Sequence, residues 1–390
     1  MPHTKTPAAF LTVRRDDARA RLAGFLTDNI VAIIALTAAA ATCVFVPVDN
    51  GYADYFDLRT LSCLFCTLAV IAAFKHIKFF EWLAEIIVKR FKNMRNIVIA
   101  LVFVTYFGSM VMANDMALVT FLPLGYFVLK SCNCGKHTAF TFIMQNIAAN
   151  LGGMLTPFGN PQNLYLFSYF NIDTGQFFRI MALPFAAAFA LIFAVCLFVR
   201  PQPVKLEHSG GARPAPVRSL AYAALFVLAV LTVFRLFPYY WGLLAVTAAL
   251  LILDYRAILH VDYSLLVTFA AFFVFSGNMA RIPQVAEFFG GLMSVDTLAF
   301  GTLSCQIISN VPSAILLSKF TSDYIPLLIA VNIGGLGTPI ASLASLITLN
   351  TFRKTNAGQT KKYLALFSLI NFSFLAVLIG IGYLTLTIIK

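Results

Sequence analysis

The chain has 390 residues, 60% of them hydrophobic and only 11% charged, with a net charge of +12. A soluble domain carries about a quarter charged residues, so a water-soluble globule is excluded and no separate soluble domain is evident. The expectation is an all-α polytopic membrane protein with many apolar stretches set between charge clusters. In such a chain basic residues flank the spans on the cytoplasmic side, so the positive balance implies lipid and not nucleic acid.

In chain order, residues 1–27 read as a cytoplasmic tail. Lys5, Arg14, Arg15, Arg19 and Arg21 gather there, and no small-residue cleavage site follows a short apolar run, so this is not a cleaved signal peptide. Basic clusters recur at 75–95, 200–218 and 353–362, and Asp-bearing loops at 50–57 and 171–173 alternate with them. Placing the basic clusters inside gives spans near 28–47, 58–75, 137–170, 180–199, 218–236, 239–254, 262–280, 324–352 and 362–389. The N-terminus is then inside and the C-terminus outside. Only Arg59, Arg179, Arg235, Arg281, Lys319 and Lys390 of the 28 Lys and Arg fall on the far side, a strong inside bias.

Two regions resist a simple crossing. Residues 96–129 carry one charge, Asp115, and as a single helix would reach ~51 Å against a hydrocarbon core of ~30 Å. Two full crossings need more residues than this. A re-entrant hairpin with its tip near Ala113-Asn114-Asp115 fits. Residues 296–319 contain Ser309-Asn310-Val311-Pro312, which argues for a second hairpin. Ahead of the first hairpin, 77–92 places Phe79, Trp82, Leu83, Ile86 and Ile87 against Lys78, Glu81, Glu85 and Lys89, as in an amphipathic helix on the membrane surface. Residues 282–293 hold the same slot before the second hairpin.

The most informative pattern is a repeated string. Asn150 opens NLGGMLTPFGNPQNL and Asn332 opens NIGGLGTPIASLASL. Asn, Gly-Gly and Thr-Pro fall in register, and each copy interrupts an apolar span. Polar, helix-breaking sequence at membrane depth survives only where it is buried in protein or lines a cavity. Two such breaks in corresponding places point to the binding site of a secondary transporter. The chain thus divides into a first repeat over 28–200 (hairpin about 96–129, broken span about 137–170), a cytoplasmic linker over 201–217, and an extra crossing plus a second, inverted repeat over 218–390 (hairpin about 296–319, broken span about 324–352).

A broken helix frees amides that attract anions and carbonyls that hold cations. The candidate binding residues are Asn114 and Asp115 at the first tip and Asn150, Thr156, Pro157, Gly159, Asn160, Gln162 and Asn163 at the first break. The second half adds Ser309, Asn310 and Ser313 at the tip and Asn332, Thr338, Ser342 and Ser345 at the break. Asp115 is the one acid well inside the membrane region, so it is a functional candidate, with a helix N-cap as its ordinary alternative. Asn150 and Asn332 have an ordinary alternative too, as caps or glue between helices. The seven cysteines are scattered and lack zinc-site spacing. An enzyme is not expected: Asp115 has no second embedded carboxylate, and no His-Glu-x-x-His helix exists.

The tips and broken spans resemble the ion transporter superfamily, which includes divalent-anion/sodium symporters, citrate-transporter-like permeases, arsenite permeases and one class of sodium/proton antiporters. The resemblance covers about 58–389. It implies two inverted repeats, a homodimer, and a small anionic substrate carried by alternating access in the inner or plasma membrane. No resident cofactor is implied. Sodium or a proton is the coupling ion, with a possible sodium site near Asp115, Asn114, Asn150 and Asn332. Dicarboxylate symporters of this type show Ser-Asn-Thr at both tips. Here only the Asn is kept in both, and the Asn114-Asp115 tip is more similar to the arsenite and sodium/proton branch. A sodium/proton antiporter or an arsenite permease is therefore the alternative.

Overall fold

A computed structural model describes residues 29–132, 134–204, 214–356 and 358–389, Val88 without its side chain. The tail over 1–27 and most of the linker lie outside the described residues. Regular structure among the described residues is helical, apart from a single antiparallel bridge between Asn93 and Pro203. Two compact units are formed. One holds the chain up to Phe56 together with Asp262–Ile282, and the other holds Asp57–Val261 and Pro283–Lys390.

The smaller unit pairs α1 (Ile30–Thr42) with a later helix over Tyr263–Ala280. Small side chains let the two approach: Ala35, Ala39 and Ala271 are all buried in one cluster. Asn278 donates to the Thr42 hydroxyl at 3.1 Å. Beyond the helix ends, the Arg281 guanidinium forks onto both oxygens of Asp49 and also reaches the Tyr55 hydroxyl at 3.0 Å.

The larger unit begins with α2 (Leu58–His76), started by Asp57, whose carboxylate accepts from the Thr60 amide at 3.0 Å. A side-chain oxygen there satisfies a donor the helix itself cannot. A short arm, α3 (Phe79–Val88), follows Lys78 in a left-handed turn. Next come α4 (Met94–Ser109), capped by Asn93, and α5 (Asn114–Ser131), joined by a four-residue turn. The first broken span is α6 (Thr138–Gly152) and α7 (Pro161–Tyr169); Pro161 starts α7, where its missing amide costs nothing. Then follow α8 (Thr174–Cys196), α9 (Pro216–Val233) and α10 (Tyr239–Leu259), with the helix of the smaller unit, Tyr263–Ala280, becoming α11.

The second series is α12 (Pro283–Ile308), α13 (Asn310–Leu317), α14 (Tyr324–Ile333), α15 (Leu343–Thr355) and α16 (Thr360–Ile389). Asp296 breaks α12 with an extended backbone and caps its second part, accepting from the Ala299 amide at 2.9 Å. Seven of the described helices are long and apolar enough to cross a bilayer: α2, α8, α9, α10, α11, α12 and α16. The protein is an all-α polytopic membrane protein. With only eight residues, α13 spans ~12 Å and falls far short of a ~30 Å core.

Packing sets the position of the breaks. The first limb of each hairpin lies on the first half of the neighbouring broken span, α4 on α6 and α12 on α14. The second limbs cross over: α5 packs on α15, and α13 packs on α7. The broken spans also touch each other, α6 against α15 and α14 against α7. Both tips and both breaks are thereby drawn into one region, with four helix starts (Asn114, Pro161, Asn310 and Leu343) facing into it.

Candidate functional site

Each break leaves carbonyls that its own helix cannot satisfy. In the first, the chain runs from Gly152 through a 3-10 turn, Gly153–Leu155, to Pro161. Asn163 answers from inside α7: its Nδ2 donates to the carbonyls of Gly153 (3.3 Å), Met154 (3.2 Å) and Thr156 (3.2 Å). In the second, the chain runs openly from Gly334 to Ser342, and Gln306 of α12 takes that role. Its Nε2 donates to Gly334 O and Leu336 O, both at 2.9 Å, while its Oε1 accepts from the Thr338 amide at 2.9 Å. The turn needs glycine at 337, where φ is +104°.

Each Thr-Pro threonine ties its break to the neighbouring hairpin. Thr156 Oγ1 donates to Met110 O at 2.8 Å and Thr338 Oγ1 to Gln306 O at 3.1 Å. Both acceptors sit four residues before the tip asparagine. At the tips themselves, Asn114 Oδ1 accepts from the Asp115 amide (3.1 Å) and Asn310 Oδ1 from the Val311 amide (3.0 Å). The second tip is strained, since Ser309 holds φ +75° with a Cβ. It is secured by Asn310 N–H to Ala341 O at 2.9 Å and by the Ser309 hydroxyl to the same carbonyl at 3.3 Å. Asp115 is not a cap: the cap position belongs to Ala113, and Asp115 lies buried in the first turn of α5. A carboxylate there is favoured by the positive end of the helix.

A chain of amides joins these parts. Asn114 Nδ2 donates to Asn150 Oδ1 at 3.1 Å. Asn160 Nδ2 donates to Asn150 O (3.2 Å) and Asn332 Oδ1 (3.3 Å), and Asn332 Nδ2 donates to Asn163 Oδ1 at 2.6 Å. The Asn146 carbonyl fixes the Asn150 amide, and through it Asn114, while the other orientations follow from Asn163, whose nitrogen must face three carbonyls. Its oxygen then faces Asn332, whose oxygen faces Asn160. The Asn160 Oδ1 that remains is buried and has no hydrogen-bond partner among the described residues, as is true of Gln162 Oε1 two residues on. These are acceptors able to hold a cation or a protonated ligand group. Asn310 Nδ2 and Asn150 Oδ1 flank Gly335, where an added Cβ would sit 3.0 and 3.2 Å from them. A side chain at 335 would fill the gap between the two halves.

Asn114, Asp115, Asn150, Asn160, Gln162, Asn163, Asn310 and Asn332 are buried together with Pro157 and Gly159. A narrow crevice lined by Thr67, Val111, Ala113, Phe158 and Pro161 reaches Asn160. Ser342 caps α15, accepting from the Ser345 amide at 3.2 Å. Ser345 is joined to the first half by Asn146 Nδ2 at 3.2 Å. Ser313 is not brought in: its hydroxyl pairs with Ser304 on the other limb of its own hairpin at 2.9 Å. Two contributors were missed in the sequence, Asn146 and Gln306. Asn146 lies one turn before Asn150 on α6, while Gln306 is near the end of α12 and parted from Asn310 by the break at Ser309. Neither carried a pattern that set it apart from an ordinary helix position.

Chemically the cluster offers neutral donors and acceptors, one carboxylate, and four helix starts whose partial positive charge favours anions. The citrate transporter (CitMHS) family model matches residues 22–323, covering the first tip, the first break and the second tip. Over 75% of this chain and 80% of its own length, the uncharacterized transporter MJ0456 of Methanocaldococcus jannaschii is 34% identical. The inner membrane protein YbiR of Escherichia coli is 30% identical over 70% of this chain and 73% of itself. The silicon efflux transporter LSI3 of rice is 32% identical over a shorter stretch, 34% of this chain and 27% of itself. By the extent of these matches, the chain belongs to the citrate transporter family of integral membrane transporters.

Proposed function

We propose that the chain is a secondary active transporter of a small anion, a carboxylate or oxyanion, driven by a sodium or proton gradient through alternating access. The observation that carries the reading is the amide chain Asn114–Asn150–Asn160–Asn332–Asn163, which makes both breaks and the first tip one hydrogen-bonded unit. Helix starts and amide nitrogens bind the anion without a fixed lysine or arginine, so the ligand can leave as well as arrive. The acceptors Asn160 Oδ1 and Gln162 Oε1 suit a coupling cation, and Asp115 supplies the negative charge that holds sodium or carries the proton. The two series of elements act as inverted repeats, each hairpin entering from its own side, and the protein works as a homodimer.

A second reading is favoured by one residue. Asp115 is the one carboxylate among these tip and break residues, so the same geometry serves a sodium/proton antiporter in which it is the cation site. Reconstituted proteoliposomes decide between them. Anion uptake that follows an imposed sodium or pH gradient, and that is lost in both Asn114→Ala and Asn310→Ala, supports the first reading. Sodium/proton exchange that needs no anion supports the second. Normal uptake by both variants contradicts the two-tip site.

A further inference from the structure

The crevice that reaches Asn160 has walls of a different character from the amide cluster. Leu64, Thr67 and Leu68 of α2 line it, with Val111 and Ala113 of the first hairpin turn and Phe158 of the first break. Its volume of about 10 Å³ is room for one water and for no carboxylate. Thr67 keeps its hydroxyl proton within its own helix, donating to Cys63 O and Leu64 O, both at 3.0 Å. No lining residue carries a charge. A passage with such walls sorts by size and not by charge.

Phe158 is the one aromatic ring among the lining residues, and it stands on a turn between half-helices. The Gly159 amide donates to Thr156 O at 3.2 Å, which closes a turn with Pro157 and Phe158 at its two middle positions. Gly159 has no space for a side chain, because an added Cβ would meet Gly153 O. The half-buried ring is therefore the last side chain before Asn160. Behind it stand two rings of α9, Phe226 edge-on at 5.9 Å and 84° and Phe234 at 6.0 Å and 78°. The end of α9 is pinned in turn: Arg235 donates to Phe167 O (2.6 Å) and Ile172 O (3.1 Å), at and just beyond the end of α7.

Packing is the ordinary explanation for an aromatic ring at a helix break. Two observations go beyond it. The ring borders the crevice, and the crevice reaches a residue of the amide cluster whose Oδ1 is buried with no hydrogen-bond partner among the described residues. We propose that Phe158 is a size-selecting gate: its ring narrows the crevice to Asn160, swings aside to admit cargo, and sets the upper size of the anion that enters. Phe226 and Phe234 hold it shut. The proposal rests on the reading of the amide cluster as the cargo site.

The gate can be read without cargo. Thr67→Cys places a thiol on the crevice wall, and the purified full-length protein is treated with methyl methanethiosulfonate or the bulkier benzyl methanethiosulfonate. Rates are followed by mass, against the same protein with Thr67 intact. Phe158→Ala should raise the benzyl rate about tenfold and change the methyl rate less than about twofold, the scale of a steric filter of one or two methylenes. Phe226→Ala and Phe234→Ala should each raise the benzyl rate about threefold, the scale of one aromatic pair. Phe158→Leu keeps an apolar side chain in place and should fall between Phe and Ala, which covers a loss of folding in the alanine variant. An unchanged benzyl rate in both Phe158 variants overturns the gate. So does an equal rise for both reagents, which marks a loosened fold and no size filter. In proteoliposomes given acetate, succinate and citrate, Phe158→Ala should shift uptake toward the larger anions, and an unchanged size preference contradicts selection by the ring. If no anion enters with any variant while the benzyl rate still rises in Phe158→Ala, the anion reading fails and the gate stands.

Discussion

The two breaks solve one problem with different parts. The first is clamped from within, by an asparagine on its own second half-helix, and the same asparagine reaches across to Asn332. The second is clamped from outside, by Gln306 on the adjoining hairpin. The first tip carries a carboxylate, Asp115, and the second has Val311 in that place and a strained serine before it. The difference teaches that similar backbone breaks need not share labour equally. The first half holds the charge and the link between halves, while the second is a neutral frame fixed to its hairpin.

Removing the internal clamp should have the largest effect. Asn163→Ala leaves three carbonyls without their partner and takes one of two acceptors from the Asn332 amide, and should cost at least about 4 kcal/mol, since each buried group orphaned costs ~1–3. Gln306→Ala orphans two carbonyls and one amide of the second break alone, and should cost less, about 3 kcal/mol. Melting temperatures in detergent would rank the two. If Gln306→Ala proved the more damaging, the second half would be the structural keystone and the comparison would have to be reversed.

Asp115→Asn should change stability little but alter coupling. Uptake should no longer follow the ion gradient, while exchange of substrate for substrate continues, because the amide keeps the shape of the site. Uptake with unchanged ion dependence would remove Asp115 from the mechanism and move coupling to Asn160 and Gln162.

The sequence was legible where chemistry is expensive. Asn-x-Gly-Gly and Thr-Pro inside apolar spans must be buried against protein, so Asn150, Asn332, Thr156 and Thr338 could be singled out from the sequence. The all-helical, many-span class followed from hydropathy and from the scarcity of charge. Asn146 and Gln306 were not legible, because each sits inside an ordinary helix. Their importance depends on which carbonyls the breaks leave open, a property of packing and not of pattern. The N-cap alternative for Asp115 failed for a related reason: the cap falls two residues earlier, at Ala113, which leaves Asp115 in the first turn.

The smallest effect belongs to the clasp between Asp49 and Arg281. The guanidinium beside Asp49 holds its carboxyl below the usual carboxylate range. A carboxyl with a lowered folded pKa stabilises above its unfolded pKa near ~3.9, and that contribution disappears as pH falls through the lower folded value. The clasp should therefore be intact from neutral pH down to about 4 and open only in stronger acid. Asp49→Asn should give a protein whose acid melting profile lacks this small step, measured by thermal denaturation across the acid range. An identical profile would show that the clasp adds nothing.

The central claim is that two hairpins enter from opposite faces and meet at one site, and labelling tests it most directly. Single cysteines would replace Lys92 and Lys130 at the ends of the first hairpin, and Val295 and Ser322 at the ends of the second, with the half-buried Cys43, Cys132 and Cys134 changed to serine. A membrane-impermeant thiol reagent should reach residues 92 and 130 from one side only, and residues 295 and 322 from the other side only. Labelling of either pair from opposite faces would make that hairpin a pair of crossings and contradict the account.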